Sequence, residues 1–387
     1  MRVALVHDFL VNKGGAERTV LALHRLYPDA PVFTALYHPE TTFTEFAEVD
    51  VRTSSLQKRS KNPEDFRRFL PFFGRAMRRL DIEGFDIVLS SSTHFAHHVR
   101  PKNGCHIVYC HSTPRYLWDD TYDRSIAPRW ARPMLPAAFA VLRRADKRAA
   151  KRAHLYVSNS LRTAERVMRT YGRRSVIVHP PVRTDRFAIG PRTGDYYLAV
   201  GRLLGHRHLH LAVDAFNRMG RKLIVVGDGP ARADLERLAG PTIDFKGAVD
   251  DATLVRLYGM ARGVVVTEEA DFGMVAVEAN ASGRPVVAYA RGGAKETVKD
   301  GATGVLFRVP SADAVMEAVL KAESITFDPV ALRAHAERFG EREFSRRIAQ
   351  IVEGQSQSCF ECARGRRGVV HLPRHRPAEP PASETQQ

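Results

Sequence analysis

The sequence is poor in cysteine and has no long apolar run. Only four of its 387 residues are cysteine. No apolar stretch is long enough to span a bilayer. The first ten residues, MRVALVHDFL, are too short for a signal peptide and carry Asp8 too early. These absences predict a reduced, cytoplasmic protein.

Acidic residues are also scarce relative to basic ones. The chain has 43 Asp and Glu against 59 Lys and Arg, which gives a formal net charge of +16. Such a charge favours acidic partners, namely nucleotide phosphates, an anionic membrane or nucleic acid. No DNA- or RNA-binding motif accompanies the charge, so a nucleic-acid-binding protein ranks last among the readings. The length and the ordinary apolar content predict a soluble protein of two or three domains.

Short apolar runs alternate with helical patterns along most of the chain, which is typical of α/β domains. Arg2 to His7 predicts a first strand, and Gly14-Gly15 lies in the loop before a helix that runs to about Leu26. A strand, a glycine-rich loop and a helix form a phosphate-binding arrangement, because the helix N-terminus carries unpaired N–H groups.

The stretch from Thr267 to Gly304 predicts a loop, a helix, a strand, a glycine-rich turn and a second helix. It resembles the donor-sugar signature of glycosyltransferase family 4. The matching residues are Asp271-Phe272-Gly273 and Glu278-Ala279-Asn280-Ala281-Ser282-Gly283-Arg284-Pro285-Val286-Val287. Ala270 stands where the family has a glutamate. The alternative interpretation of this stretch is an ordinary helix–strand unit of an α/β domain with no donor site.

The resemblance implies an α/β chain with the GT-B fold, in which two Rossmann-like, doubly wound parallel-sheet domains face a cleft. The implied boundaries are residues 1–182 for the acceptor-side domain and 183–342 for the nucleotide-sugar domain. A terminal helix at 343–353 is expected to cross back to the first domain. Residues 354–387 lose apolar periodicity, and their composition predicts a disordered tail.

The resemblance also implies a donor site. Arg202 and Arg207 would clamp the leaving diphosphate, with Arg207 in the place of a family lysine, and Glu278 would bond the nucleotide ribose. Surface charge is the alternative reading of both arginines. The remaining implied donor-binding residues are Gly14, Gly15, Gly201, Gly247, Val249, Phe272, Gly273, Met274 and Val275.

Three further residues are predicted to be catalytic. His111 follows a predicted strand in the run Cys110-His111-Ser112-Thr113-Pro114-Arg115-Tyr116, which resembles a bacterial polysaccharide branch of the family, often mannosyltransferases. It could bond a sugar hydroxyl or an acceptor, or it could only tie down its loop. Glu269 and Asp271 flank Ala270, and one of them is expected to replace the missing glutamate. The alternative is that the chain no longer catalyses transfer.

A basic amphipathic segment runs from Lys58 to Leu80. It suits a membrane surface or an anionic lipid-linked acceptor. A core-facing helix with a solvated basic face explains the same pattern, and periodicity does not separate the two readings. The residues assigned to the first reading are Arg67, Arg68, Phe72 and Arg75.

The leading hypothesis is a retaining hexosyltransferase without cofactor or metal, working at the inner face of the membrane. The bacterial branch suggests GDP-mannose as the donor and a lipid-linked saccharide as the acceptor in surface polysaccharide synthesis. An anionic membrane surface is a further expected partner, and nucleic acid is not. The alternative is a non-catalytic homologue that only binds a sugar nucleotide, motivated by Ala270 and Arg207.

Overall fold

The structure, a computed structural model, describes residues 1–119, 135–190 and 194–363. Its first half is built on seven parallel strands: β1 (Val3–His7), β2 (Val32–Thr34), β3 (Val51–Thr53), β4 (Ile87–Ser92), β5 (Cys105–Cys110), β6 (Leu155–Ser158) and β7 (Ser175–Ile177). They form one sheet in the order β3-β2-β1-β4-β5-β6-β7.

The central strands of this sheet are apolar on both faces. All residues of β1 (VALVH) and of β5 (CHIVYC) are buried. Apolar runs without alternation belong to strands covered on both sides. The helices that connect the strands are α1 (Gly15–Leu26), α2 (Phe66–Arg78), α3 (Arg115–Trp118), α4 (Leu135–Arg152) and α5 (Leu161–Tyr171). Helix α1 packs into the core on one face of the sheet, and α2 packs into the core on the other.

The second half repeats this plan with six parallel strands: β8 (Tyr196–Val200), β9 (Lys222–Val226), β10 (Ile243–Gly247), β11 (Gly263–Val266), β12 (Val286–Tyr289) and β13 (Gly304–Phe307). Their order is β10-β9-β8-β11-β12-β13. The helices are α6 (Leu209–Met219), α7 (Arg232–Leu238), α8 (Asp251–Met260), α9 (Met274–Ala281), α10 (Ala294–Thr297), α11 (Ala312–Glu323), α12 (Pro329–Glu337) and α13 (Glu341–Ala363). Two doubly wound parallel sheets were predicted, and this prediction is confirmed.

Helix α13 belongs to the second half in sequence but packs on the first. Its Phe344, Ile348 and Val352 are buried in the same core as strand residues such as Leu5 and Ile107. The helix continues to Ala363, so residues 354–363 are helical. The predicted start of a disordered tail at residue 354 is therefore wrong, because a helix docked by its first turns propagates beyond its last buried residue. Residues 364–387 lie outside the described part of the chain.

Each sheet has one point where the chain reverses its direction of winding. Strand β1 lies between β2 and β4, and β8 lies between β9 and β11. In open α/β sheets ligands bind in the crevice at the carboxyl ends of these strands. The segments that follow β1, β4, β8 and β11 are therefore the places to look for a site. Among the described helices, none is long and apolar enough to cross a membrane.

Candidate active site

The loop between β11 and α9 carries most of the predicted donor site. Phe272 is buried and anchors the loop, with its ring 5.3 Å from that of His179 and 5.7 Å from that of Phe339. Gly273 adopts φ 87°, a left-handed conformation that glycine tolerates, and α9 starts at the next residue. The free N–H groups at the start of α9 thus open at the carboxyl edge of the sheet.

The glycine-rich turn after β12 packs directly under this loop. The Gly293 N–H donates to the Ala270 carbonyl at 2.9 Å. A Cβ on Gly292 would lie 2.1 Å from that same oxygen, and a Cβ on Gly293 would lie 1.9 Å from the Phe272 carbonyl oxygen. The Gly-Gly pair at this turn therefore lets two backbones approach, and it fixes the loop that carries Ala270.

Glu278 lies one turn into α9 and is partly buried. The Tyr258 hydroxyl donates to Glu278 Oε2 at 2.8 Å. Burial raises the pKa of the Glu278 carboxyl, although the bond from Tyr258 and the charges of Arg18 and Arg186 oppose the rise. The carboxylate is thus held by one donor and keeps acceptor capacity for a ligand hydroxyl.

The two predicted donor-site arginines differ in their surroundings. Arg202 is exposed and has no hydrogen-bond or ion-pair partner within the described residues. Arg207 NH1 donates to Glu268 Oε1 at 3.0 Å, and its Nε lies 2.9 Å from Glu268 Oε2. The Thr267 hydroxyl donates to the Arg207 carbonyl at 2.9 Å. Both arginines follow β8, so they lie at the winding reversal of the second sheet.

The acidic neighbours of Ala270 are paired with the first domain. Arg162 on α5 forms an ion pair with Glu269, and its Nε lies 3.7 Å from Asp271 Oδ1. Arg166 NH1 donates to Asp271 Oδ1 at 3.0 Å. The structure thus brings Glu269 and Asp271 to the cleft, where they bridge it. Their replacement of the missing glutamate stays a prediction.

His111 lies at the carboxyl end of β5, as predicted. Its Nε2 is 2.8 Å from the Ser91 hydroxyl, and its ring packs edge-on against Tyr109. Burial lowers the pKa of His111 to about 3, so the imidazole is neutral near pH 7. The geometry accommodates both predicted readings, because the ring is tied to its loop and also faces the winding reversal of the first sheet.

Sequence reasoning missed a buried charged cluster beside His111. His7 Nδ1 is 3.0 Å from the Ser91 carbonyl oxygen, and His7 Nε2 is 3.8 Å from Glu17 Oε1. Burial alone would lower the pKa of His7, but Glu17 raises it above its ordinary value. Asp8 accepts four backbone N–H groups of residues 93–96, at 2.5 to 2.8 Å. The signal was available, since His7 and Asp8 end a buried strand and Glu17 follows the Gly-Gly loop.

The Gly14-Gly15 loop lies close to both halves of the cleft. A Cβ on Gly14 would lie 2.6 Å from Glu17 Oε2. A Cβ on Gly15 would lie 2.5 Å from Met274 Cε, at the start of α9. The loop predicted to face the diphosphate therefore stands opposite the α9 N-terminus, and a side chain at Gly14 or Gly15 would require Glu17 or Met274 to move.

A cavity of about 520 Å³ opens where α1 meets the start of α8. Val249 and Asp251 line it from the second domain, and Arg18 lines it from the first. Arg18 lies 3.8 Å and Arg186 lies 2.6 Å from the Asp251 carboxylate. The volume of the cavity falls in the range of small-molecule sites. Gly247, which adopts φ 67°, ends β10 two residues before Val249, so these two predicted donor-binding residues lie at or near this cavity.

Helix α2 has two different faces. Phe73, Ala76 and Met77 are buried in the core, as the core-facing reading requires. Phe72 on the other side is 57% exposed, and Arg75 is also exposed. Arg68 is exposed, with NH1 3.6 Å from Asp65. The Arg67 side chain lies outside the described part. The basic face is solvated, and core packing does not account for Phe72.

A second buried polar cluster holds the first domain together away from the cleft. Four side chains converge on the Asp146 carboxylate: His97 and His98 reach Oδ1 at 2.9 and 3.0 Å, and Trp118 and Tyr171 donate to Oδ2 at 2.7 and 2.8 Å. Burial alone would raise the pKa of Asp146, but the histidines hold it well below its ordinary value. The His–His–Asp set has the composition of a metal site. The Asp146 carboxylate already accepts hydrogen bonds from protein donors. That the protein binds no metal stays a prediction.

Comparison with known proteins divides the chain in the same way as the two sheets. The family model described as Glycosyltransferase Family 4 matches residues 13–186, and the model described as Glycosyl transferases group 1 matches residues 182–343. The two matches overlap at residues 182–186 and together cover both halves of the cleft.

The curated relatives match only in part. The GDP-mannose-dependent α-(1-6)-phosphatidylinositol monomannoside mannosyltransferase of Mycolicibacterium smegmatis is 30% identical over 219 residues, 48% of this chain and 56% of the relative. A glycogen synthase of Pseudomonas paraeruginosa is 27% identical over 159 residues, 39% of this chain and 31% of the relative. The chain therefore spans between about a third and about half of the length of these relatives.

Solved structures match nearly the whole chain in fold. Anabaena HepE in complex with UDP and glucose aligns with a TM-score of 0.67 at 18% identity, covering 91% of this chain and 99% of HepE. Sucrose-phosphate synthase from Thermosynechococcus elongatus aligns with a TM-score of 0.70 at 18% identity, covering 91% and 98%. At such identities the likeness concerns the fold alone, and it confirms the predicted GT-B architecture.

Proposed function

Because the chain belongs to glycosyltransferase family 4, with models that together match residues 13–343, we propose that it is a retaining hexosyltransferase. It moves a sugar from a nucleotide donor to a saccharide acceptor, with no metal in the reaction. The observation that carries the proposal is the position of Arg202 and Arg207. Both cations follow β8 at the winding reversal, next to the loop that starts α9.

This arrangement suits departure of a nucleoside diphosphate. Negative charge grows on the diphosphate as the glycosidic bond breaks, and fixed cations and helix N-termini stabilise such charge. Arg202 is unpaired in the described part of the chain and is available to the diphosphate. Glu278 then accepts hydrogen bonds from the ribose hydroxyls, on the other side of the α9 N-terminus.

GDP-mannose is the donor that we propose to test first. Support comes from the mycobacterial relative, which is named as GDP-mannose-dependent, and from the run that contains His111. Anabaena HepE was solved with UDP-glucose, so UDP-glucose is the matched comparison donor. The cavity beside Val249 is the place where guanine and uracil would be distinguished.

The acceptor is proposed to be a lipid-linked saccharide, presented at the inner face of a membrane for surface polysaccharide synthesis. Phe72 on α2 is 57% exposed, and Val141 on α4 is 66% exposed. Both helices pack against residues 96–98. Their exposed faces also carry Arg75, Arg144 and Arg148. Apolar side chains among arginines suit an anionic membrane surface.

The donor experiment measures binding and turnover separately. GDP-mannose and UDP-glucose are titrated by calorimetry, and release of nucleoside diphosphate from each is followed with a membrane extract as acceptor source. We expect one of the two donors to bind and to release its nucleoside diphosphate. If the anomeric linkage of that donor is axial, the NMR spectrum of the product should show that the new linkage is axial too. An inverted anomeric centre would contradict the retaining reaction.

The membrane experiment compares two variants at similar exposure. Phe72→Ser should lower sedimentation with vesicles of anionic phospholipid, while Val330→Ser, at a 66% exposed position on α12 of the other domain, should not. Equal sedimentation of both variants and wild type would show that Phe72 on α2 does not contribute to membrane binding. The proposal for the donor chemistry would stand.

A second candidate function is binding of a sugar nucleotide without transfer. It is favoured by Ala270, which has no polar side-chain atom, and by the pairing of Glu269 and Asp271 with α5. A protein that binds GDP-mannose or UDP-glucose but releases no nucleoside diphosphate would support this candidate.

A further inference from the structure

Arg207 already has an anionic partner before any donor is bound. Arg207 NH1 donates to Glu268 Oε1 at 3.0 Å, and Nε lies 2.9 Å from Oε2 without donating a hydrogen bond to it. The Glu268 side chain is 17% exposed and that of Arg207 is 31% exposed. Glu268 is not part of the family signature on which the donor site was predicted.

The pair is held in place at both ends. A Cβ on Gly201 would lie 2.5 Å from Arg207 NH1, so the guanidinium lies against the backbone at the end of β8. Thr267, the residue before Glu268, donates its hydroxyl to the Arg207 carbonyl. Glu268 therefore reaches Arg207 from a backbone segment that is itself bonded to Arg207.

A partly buried guanidinium is costly without an anion, and Glu268 removes this cost while the site is empty. A diphosphate binds arginine through the same planar N–H edge that a carboxylate uses. Because Glu268 accepts from NH1 and neutralises the guanidinium, a diphosphate gains the full charge and all the N–H donors of Arg207 only when the carboxylate moves away. The two anions therefore compete for one cation.

We propose that Glu268 is an exchangeable counter-ion of Arg207, which yields to the diphosphate of the incoming donor and then competes with the nucleoside diphosphate product for the same guanidinium. This inference rests on the proposed function, because it assumes that Arg207 meets a diphosphate. It adds a residue that tunes donor affinity and product release. Glu268 acts through Arg207 and is a positioning residue.

The charges around Glu268 give the exchange a pH dependence. The groups that face it are Arg207, Arg115 from α3 and Asp271, and His206 faces Arg115 and Arg207. Burial raises the pKa of the Glu268 carboxyl, Arg207 and Arg115 oppose the rise, and Asp271 adds to it. As pH falls, Glu268 takes up a proton above the ordinary glutamic acid range and releases Arg207.

The test measures nucleoside diphosphate binding by calorimetry in wild type and in Glu268→Gln. Glutamine keeps the size of the side chain but carries no charge. We expect GDP or UDP to bind about tenfold more tightly to the variant, which corresponds to about 1.4 kcal/mol. The matched control is Glu323→Gln. Glu323 is similarly buried and paired with Arg221, at the opposite end of the sheet, so its variant should bind like wild type.

A double variant tests whether the gain in nucleoside diphosphate affinity depends on Arg207. In Glu268→Gln with Arg207→Ala the gain should vanish, because no guanidinium is left to release. With GDP-mannose or UDP-glucose, whose diphosphate does not titrate between pH 5 and 8, wild-type affinity should rise as pH falls, and the Glu268→Gln affinity should rise less. In turnover, the variant should show a lower donor KM and stronger product inhibition.

The outcomes separate this inference from the proposed function. Weaker or equal binding in Glu268→Gln, with wild type binding normally, overturns the counter-ion and leaves the glycosyltransferase proposal standing. Weaker binding would mean that Glu268 only orients Arg207. If neither protein binds a nucleoside diphosphate, both the inference and the proposed function fall. Melting curves of both variants confirm that the comparison is made between folded proteins.

Discussion

At the scale of single residues, Arg207 is the most informative position of the candidate site. Its guanidinium lies at the carboxyl end of β8 and is neutralised by Glu268. The two residues therefore have opposite expected effects on a bound diphosphate, although they form one ion pair. Their variants should be read together, because residues in direct contact do not contribute additively.

Replacing Arg207 by alanine should slow sugar transfer by about 2–4 kcal/mol in the barrier, because it removes a cation from the leaving diphosphate. Adding Glu268→Gln to Arg207→Ala should not restore the lost activity, because no guanidinium is left to bind the diphosphate. The measurement is kcat/KM for the donor, and an Arg207→Ala enzyme with wild-type kinetics would show that Arg207 lies outside the reaction.

Asp8 is the residue for which a stability effect follows most directly. Burial alone would raise its pKa, but His94, His7 and backbone N–H groups hold the pKa of the carboxyl below its ordinary value. A lowered pKa in the folded protein means that the carboxylate stabilises the fold at pH above about 4, its unfolded pKa. This contribution is lost as pH falls through the folded pKa.

Asp8→Asn should therefore destabilise the protein by roughly 2–4 kcal/mol at pH 7, because an amide oxygen is a weaker acceptor and its NH₂ group faces N–H donors. The difference from wild type should shrink as pH falls below about 4. Urea unfolding at pH 7 and pH 3.5 measures both values. A constant difference across this range would show that the charge of Asp8 is not responsible.

At the scale of elements, α13 joins the two halves of the chain. It follows the second domain in sequence, and its Phe344 is packed against the strands of the first, with the ring 5.6 Å from that of Tyr109. Phe344→Ala should cost about 3–5 kcal/mol of stability through the cavity it leaves. Thermal melting measures this cost. A loss below about 1 kcal/mol would mean that the helix docks only weakly.

The same elements show what the sequence could predict. Strand β1, the loop before α1, and the loop–helix–strand unit with α9 and β12 were predicted because each has a local pattern of apolar residues, glycines and caps. The end of α13 was missed, because nothing local after Gly354 calls for a helix. The pairs Arg207–Glu268 and Arg166–Asp271 were also missed. Their partners are 61 and 105 residues apart, and only the fold brings them together.

At the scale of the whole molecule, the two domains are joined by ion pairs across the cleft. Arg162 and Arg166 on α5 pair with Glu269 and Asp271, and the backbone N–H of Leu161 donates to the Glu296 carboxylate at 2.9 and 3.0 Å. The acidic residues that were predicted to serve the donor sugar thus pair with arginines of the other domain in this structure. A carboxylate has two acceptor oxygens, so one that is paired with an arginine keeps acceptor capacity for a donor hydroxyl.

Ala270 makes this question testable. The carboxylates of Glu269 and Asp271 flank a residue that has no polar side-chain atom, so at least one of them is expected to support transfer in its place. We predict that wild type turns over its donor, and that Glu269→Ala or Asp271→Ala lowers kcat at least tenfold, about 1.4 kcal/mol in the barrier. Initial rates of nucleoside diphosphate release measure the effect.

The arginine variants decide how the carboxylates act. If Glu269 and Asp271 work by closing the cleft, Arg162→Ala and Arg166→Ala should lower kcat as much as the acidic variants do, because each removes the same ion pairs. If a carboxylate contacts the donor sugar itself, the arginine variants should retain more activity than the acidic ones. A wild type that binds donor but never releases nucleoside diphosphate, with Ala270→Glu restoring release, would contradict both routes. The missing glutamate would then be the reason that this chain binds a sugar nucleotide without transferring its sugar.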